Sequence, residues 1–267
     1  KHEWEVMSDR VGFWADMDDP YVTYHDDYIE SEMLEDMLKY NGNDFIISGY
    51  RTIDTENNIL NEYNCVGFKD TSINDFLNKY YVMFERKDIL SGPINKLFFA
   101  EILRLHNVRF DEELSICEDG LFVLQFLKKC KTISAVEKIY YNYVQYGTNT
   151  LMCRYNSNAI EACEKRYLAN LELLECHFVS NDSLYEYVKK HNFYKFLYFL
   201  IQIYTRSGLK NSEKYKTMKK ALSNASFLDL ILNGKVFGAK KFLFKILTKT
   251  KNFVLLHLIL SLYSTEK

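Results

Sequence analysis

Residues 93–152 read PINKLFFAEILRLHNVRFDEELSICEDGLFVLQFLKKCKTISAVEKIYYNYVQYGTNTLM, and this stretch carries most of the information about fold. After the Gly92-Pro93 turn, Leu97, Phe98, Ile102 and Leu105 recur at helical spacing, which predicts a helix that Asn107 ends. Ser115 and Glu118 make an S-x-x-E pattern, the signature of a capping box, and predict a second helix from there to about Cys130. The run 131–146 is rich in β-branched and aromatic residues and predicts one or two short strands.

Within that frame the pair Glu118-Asp119 is the first candidate for chemistry. Two accounts of it stand side by side. Glu118 fits the capping box and Asp119 would meet the positive end of the helix dipole, which is a structural duty. The other account is that the pair carries chemistry.

Upstream, Met33, Leu34, Met37 and Leu38 predict a short helix that Asn41-Gly42-Asn43 stops. DFIISGY (44–50) predicts a buried strand, DTENN (54–58) a turn, and 59–68 the returning strand or loop. A helix is expected over 73–84, on the stripe Phe76, Leu77, Tyr80 and Phe84. Downstream of about Ser157 helices dominate, over 159–176, 184–204, 213–222 and 237–263.

The last of these ends in FVLLHLILSLY (253–263), which falls well short of the roughly 20 apolar residues that span a bilayer. Lysines 240, 241, 245, 249 and 251 precede it, and both an interfacial membrane helix and a buried bundle helix satisfy that pattern. The formal net charge of −2 hides an acidic front over 1–63 and a basic segment from Arg206 to Lys251. A basic segment favours an anionic surface, either membrane or nucleic acid, or is simply a solvated helix face. The six cysteines show no C-x-x-C spacing, so they read as reduced thiols rather than a zinc site or a disulfide framework. His25, His106 and His177 have no carboxylate or cysteine partners at catalytic spacing. KHEWEVMSDR lacks the apolar centre of a signal peptide and an initiating Met, as expected of a sequence that begins inside a longer frame or of a processed fragment.

Several short motifs in 93–152 occur in the order NKLF (95–98), RFDEEL (109–114), EDGLF (118–122) and IYYNYVQYGTNT (139–150). Together they resemble the second half of a family 2 glycosyltransferase with the GT-A fold, and the resemblance reaches back more weakly to about residue 26. It implies a truncated GT-A-like α/β sheet with flanking helices, followed by an α-helical C-terminal region. It also implies a nucleotide-sugar donor, a glycan or surface-polysaccharide acceptor, and inverting transfer with Asp119 as base and Glu118 beside it. Asn95, Lys96, Tyr141 and Tyr143 would face the acceptor, although tyrosines alternating along a packed strand would look the same.

The family's carboxylates that support a divalent metal, magnesium or manganese, correspond here to Asp26 and Asp27. Tyr24 stands where the first carboxylate belongs and cannot supply a hard anionic oxygen. No glycine-rich phosphate loop is present.

Residues 2–31 resemble something else. SDRVGFWADMD, PYVTYHDDYIES and the pair Trp4/Trp14 are similar to a segment of the isoleucyl-tRNA synthetase catalytic domain. The nucleotide motifs H-I-G-H and K-M-S-K-S of that enzyme are absent, so neither aminoacylation nor nucleic-acid binding is expected. The string DDYIES suits both families, and the expectation is a chimera joined there. Its parts would be a synthetase-like segment 1–31, a glycosyltransferase-like acceptor half 32–152 and a helical region 153–267. Such a chain is expected to be inactive by itself, bacterial, and cytoplasmic with a peripheral place at the inner membrane face. The alternative is a non-enzymatic helical module that binds a partner or a membrane.

Overall fold

The computed structural model describes residues 4–6, 27–146, 155–233 and 239–262. Its contacts divide the chain into two compact units: Lys1–Glu113 with Glu118–Asn149 and Glu172–Ser180, and Leu114–Cys117 with Thr150–Leu171 and Asn181–Lys267.

The first unit is built on a seven-stranded sheet. Its spine is a parallel pair, β3 (Phe45–Ile53) and β7 (Thr132–Val144). The amino-terminal half of β3 pairs antiparallel with β6 (Lys96–Phe99), and its carboxy-terminal half with β4 (Ile59–Tyr63). β7 divides likewise between β5 (Phe68–Ser72) and β2 (Tyr28–Ile29). The backbone of β1 (Trp4–Val6) adds an edge strand antiparallel to β6, so part of the synthetase-like segment pairs with the sheet.

Both faces of the sheet are covered, which is why β3 reads as an almost unbroken apolar run rather than an alternation. Consecutive side chains point to opposite faces. Phe45 and Phe98 go to one, where their rings meet Phe126 of α5 (Glu118–Leu127) at 5.4 and 5.0 Å. Ile46 and Leu97 go to the other and pack with Met33 and Met37 of α1 (Met33–Leu38). α5 is thus clamped by aromatic rings, and its first turn is carried to a fixed place beside the strands.

Five expectations are corrected, four of them before residue 157. The helix read from Leu97 to Leu105 is a strand, β6, running directly into the short helix α4 (Ala100–Leu105). Leu97 and Phe98 are both fully buried because they serve opposite faces, a demand that the helical spacing hid. The helix over 73–84 breaks at Tyr80 into α2 (Ile73–Lys79) and α3 (Tyr81–Arg86). α5 begins at Glu118, behind Cys117 at φ +65°, so Ser115 is not its cap; the Ser115 hydroxyl accepts from Asn156 Nδ2 at 2.7 Å. Residues 131–146 form one long strand, with register shifts at Ser48/Gly49 and Gly49/Tyr50 on the β3 side.

The helices after residue 157 are α6 (Ala159–Cys176), α7 (Asp182–Thr205), α8 (Asn211–Ala221), α9 (Ala225–Asn233), α10 (Ala239–Lys249) and α11 (Phe253–Leu262). The expected single helix over 237–263 is two, parted at Lys251, whose φ is +53°. α9 has no counterpart among the expectations. No helix among the described residues is long and apolar enough to cross a membrane.

Candidate active site

Asp119 occupies the first turn of α5 and is half-buried. Its carboxylate stands over Gly92: a Cβ on that glycine would lie 3.8 Å from both Asp119 Cβ and Oδ2. Asp119 therefore stands beside the connection between α3 and β6 rather than facing solvent alone. Glu118, also half-buried, precedes it by one position and so points about 100° away around the helix.

The connection 87–95 is held from below by Lys96. That side chain is fully buried, and its Nζ donates to Ile89 O at 2.5 Å, Asn95 Oδ1 at 2.7 Å and Ile94 O at 3.1 Å. Burial pushes the Lys96 ammonium down to about 7, against the pull of Cys65, Asp119, Asp88 and Glu85. Asn95 is equally buried, with φ +59°; its Nδ2 donates to Ser48 O, and its own carbonyl accepts from Ser48 N at 2.9 Å. Asn95 and Lys96 therefore lie in the interior, and any part they take in acceptor binding acts through the loop they brace.

Tyr141 is buried and donates from Oη to Asp27 Oδ2 at 2.9 Å, while Val144 N donates to Asp27 Oδ1 at 2.7 Å. Asp27 thus ties the start of β2 to β7. Tyr143 is half-buried on the same strand, opposite Thr52 of β3. Tyr50 donates from Oη to Asp88 O at 3.5 Å and stacks on Tyr63 with ring centroids 4.4 Å apart, and burial pushes its phenol well above the usual tyrosine range.

A second polar group escaped the sequence reading. Arg51 donates from Nη2 to Glu30 Oε1 at 2.6 Å and from Nε to Asn142 Oδ1 at 2.5 Å, and Asn142 Nδ2 donates to the same Glu30 oxygen at 3.1 Å. These residues are far apart in sequence and belong to no motif, so only the pairing of β3 with β7 brings them together.

The metal expectation meets a direct test of fit. Asp26 lies outside the described residues. Both oxygens of Asp27 already accept hydrogen bonds, from a main-chain N–H and a buried phenol. No group of three or more His, Cys, Asp or Glu among the described residues is placed to hold a metal ion. The described donor set does not fit a divalent metal. Replacing Asp27 by Ala is expected to cost about 2 kcal/mol of unfolding free energy, because a buried phenol and a strand N–H lose their acceptor. Urea denaturation checks this. A mutant as stable as the wild type without metal, but no longer stabilised by added magnesium or manganese, would make Asp27 a ligand instead.

No family model matches this chain. Curated sequences match it only in short segments. The isoleucine–tRNA ligase of Clostridium kluyveri is 73% identical over 30 residues, covering 11% of this chain and 3% of the ligase. That of Clostridium novyi is 53% identical over 45 residues, covering 15% and 4%. Among solved structures, S. aureus TarS 1–349 in complex with UDP-GlcNAc is 17% identical with a TM-score of 0.50, covering 77% of this chain and 55% of that one. S. aureus TarS 1–349 in a second crystal structure gives 16% identity and the same TM-score, covering 77% and 53%. The chain thus spans about half the length of the TarS fragment and a few per cent of the ligases. At this level of identity the likeness speaks to architecture: the chain is a mixed α/β protein with a GT-A-like sheet and added helices.

Proposed function

We propose that residues 27–146 are the acceptor-side half of a sugar-transferring enzyme that uses a nucleotide-sugar donor and a glycan or surface-polysaccharide acceptor. The observation that carries this reading is the half-buried Asp119 carboxylate, held at the head of α5 beside Gly92 and the connection between α3 and β6. TarS, which shares the fold, binds UDP-GlcNAc, and that supports a nucleoside-diphosphate sugar as the donor class.

In this reading Asp119 accepts the proton of the acceptor hydroxyl as that oxygen bonds to the anomeric carbon. The bond from the anomeric carbon to the diphosphate oxygen breaks, and its electron pair leaves with the nucleotide. Because the oxygen enters opposite the leaving group, a single displacement inverts the anomeric centre. Glu118 lies beside the base, and Tyr143 offers a ring face on which a sugar can stack.

These 267 residues taken alone are proposed not to turn over a donor. The sequence contains no glycine-rich phosphate loop, and both oxygens of Asp27 accept hydrogen bonds within the sheet. The test pairs two measurements on the chain: binding to a glycan array, and nucleotide release from UDP-GlcNAc in the presence of bound glycans. Glycan binding that weakens in Tyr143→Ala, without nucleotide release, is the expected result. Release of UDP by the chain would overturn its inactivity, and failure to bind any glycan would overturn the acceptor-side reading.

A further inference from the structure

The second unit presents a surface unrelated to Asp119. The inner side of α11 is fastened to the bundle: Leu256 and Leu260 are buried, Tyr204 Oη lies 2.8 Å from His257 Nδ1, and the Tyr215 ring of α8 meets the His257 ring edge-on at 5.4 Å. This fixes which side of α11 faces out. Val254 and Leu258 on that outer side are 62% and 57% exposed, and Leu255 is exposed between them.

On α10, Phe244 and Leu247 are buried while Leu243 and Ile246, one turn apart, are exposed. Both apolar stripes run toward the connection 250–252, where Lys249 and Lys251 are exposed. α8, which packs on α11, exposes Lys216, Lys219 and Lys220. Across 206–262 the sequence has twelve Lys and Arg against two carboxylates, Glu213 and Asp229.

Three kinds of occupant can be weighed by chemistry. Protein interfaces are depleted in Lys and anchored by Trp, Tyr and Arg, whereas these helices expose Leu, Val and Ile together with Lys. Nucleic acid would reward the lysines and leave the aliphatic side chains exposed to water. A lipid surface with anionic headgroups uses both, with the aliphatic side chains at the acyl boundary and the ammonium groups among the phosphates. We propose that the outer faces of α10 and α11, with the lysines of α8, are an interfacial docking surface for an anionic lipid bilayer, on which the helices lie without crossing it. This holds whether or not the first unit transfers a sugar.

The test is co-sedimentation of the full chain with vesicles of phosphatidylcholine alone and of phosphatidylcholine mixed with phosphatidylglycerol. Binding to the anionic vesicles, weakened by salt, with little to the neutral ones, is expected. The double variant Leu255→Glu/Leu258→Glu, at exposed positions, should keep the wild-type melting curve yet partition at least about tenfold less. Lys216→Gln/Lys219→Gln/Lys220→Gln should weaken binding to the anionic vesicles only. Equal binding by the Leu255/Leu258 variant would overturn the proposal. So would a wild-type dimer that ignores lipid and is broken by that variant, since a second copy would then cover the face.

Discussion

Replacing Asp119 by Asn is expected to lower the transfer rate by about 10²- to 10⁴-fold in a polypeptide that joins these residues to a nucleotide-binding half, the range that a positioned general base contributes. Asn keeps the size and shape of the side chain but cannot take the acceptor proton. The loss should fall on kcat, with acceptor binding nearly unchanged, because Asn fills the same volume beside Gly92. Glu118→Gln should cost far less: Glu118 points elsewhere around the helix, and its amide keeps the same volume. Stability should hardly move, since a single carboxylate in the first turn of a helix typically contributes under about 1 kcal/mol through the helix dipole. A drop of less than tenfold in kcat for Asp119→Asn, or an equal drop for Glu118→Gln, would remove Asp119 from the role of base.

The sequence exposed the site and the fold unequally, for physical reasons. The strand at Phe45–Ile53 was legible because both its faces are covered, so the apolar run had no helical alternative of sufficient length. β6 was illegible because Leu97, Phe98, Ile102 and Leu105 happen to match a helical stripe, and only pairing with β3 decides that the first two are in a strand. The false capping box has a similar origin: S-x-x-E is a local signal, and the left-handed Cys117 moved the helix start three residues past Ser115. The break between α10 and α11 rests on Lys251 in the left-handed region and on Asn252, whose side chain accepts from Leu255 N. Neither Pro nor Gly marks it. At the site, Asp119 could be found from its motif. What it faces could not, because Gly92 and Lys96 reach it only through the sheet. The motif also said nothing of burial, and so Asn95 and Lys96 read as surface contacts when they are interior braces.

Lys96 yields the largest expected effect on stability. Truncation by Lys96→Ala removes the donor for three oxygens, two of them in buried hydrogen bonds, and leaves a void where a long stem was packed. The loss should be about 3 kcal/mol or more. Lys96→Met, which keeps the stem, separates the charge from the packing. The native ammonium titrates near 7, burial having depressed it from the unfolded value of 10.5. Below pH 7 both states hold the proton and the cost of burying the charge is fully present. Between pH 7 and 10.5 the unfolded chain binds more protons than the native one, so the wild type should gain stability with rising pH, at no more than about 1.4 kcal/mol per pH unit. Above 10.5 the gain stops. Lys96→Met has no such group, and the wild type minus variant difference cancels other titrations to first order. Three acceptors around Nζ oppose the loss of the proton, because an ammonium has three hydrogens to donate and an amine only two. Urea midpoints of both proteins from pH 6 to 10 weigh the two effects, about the unit range in which lysine and its surroundings compete. A difference that rises with pH confirms that burial dominates; a flat one means that the three oxygens keep Lys96 charged throughout, and that the loop under Asp119 is braced by an ion.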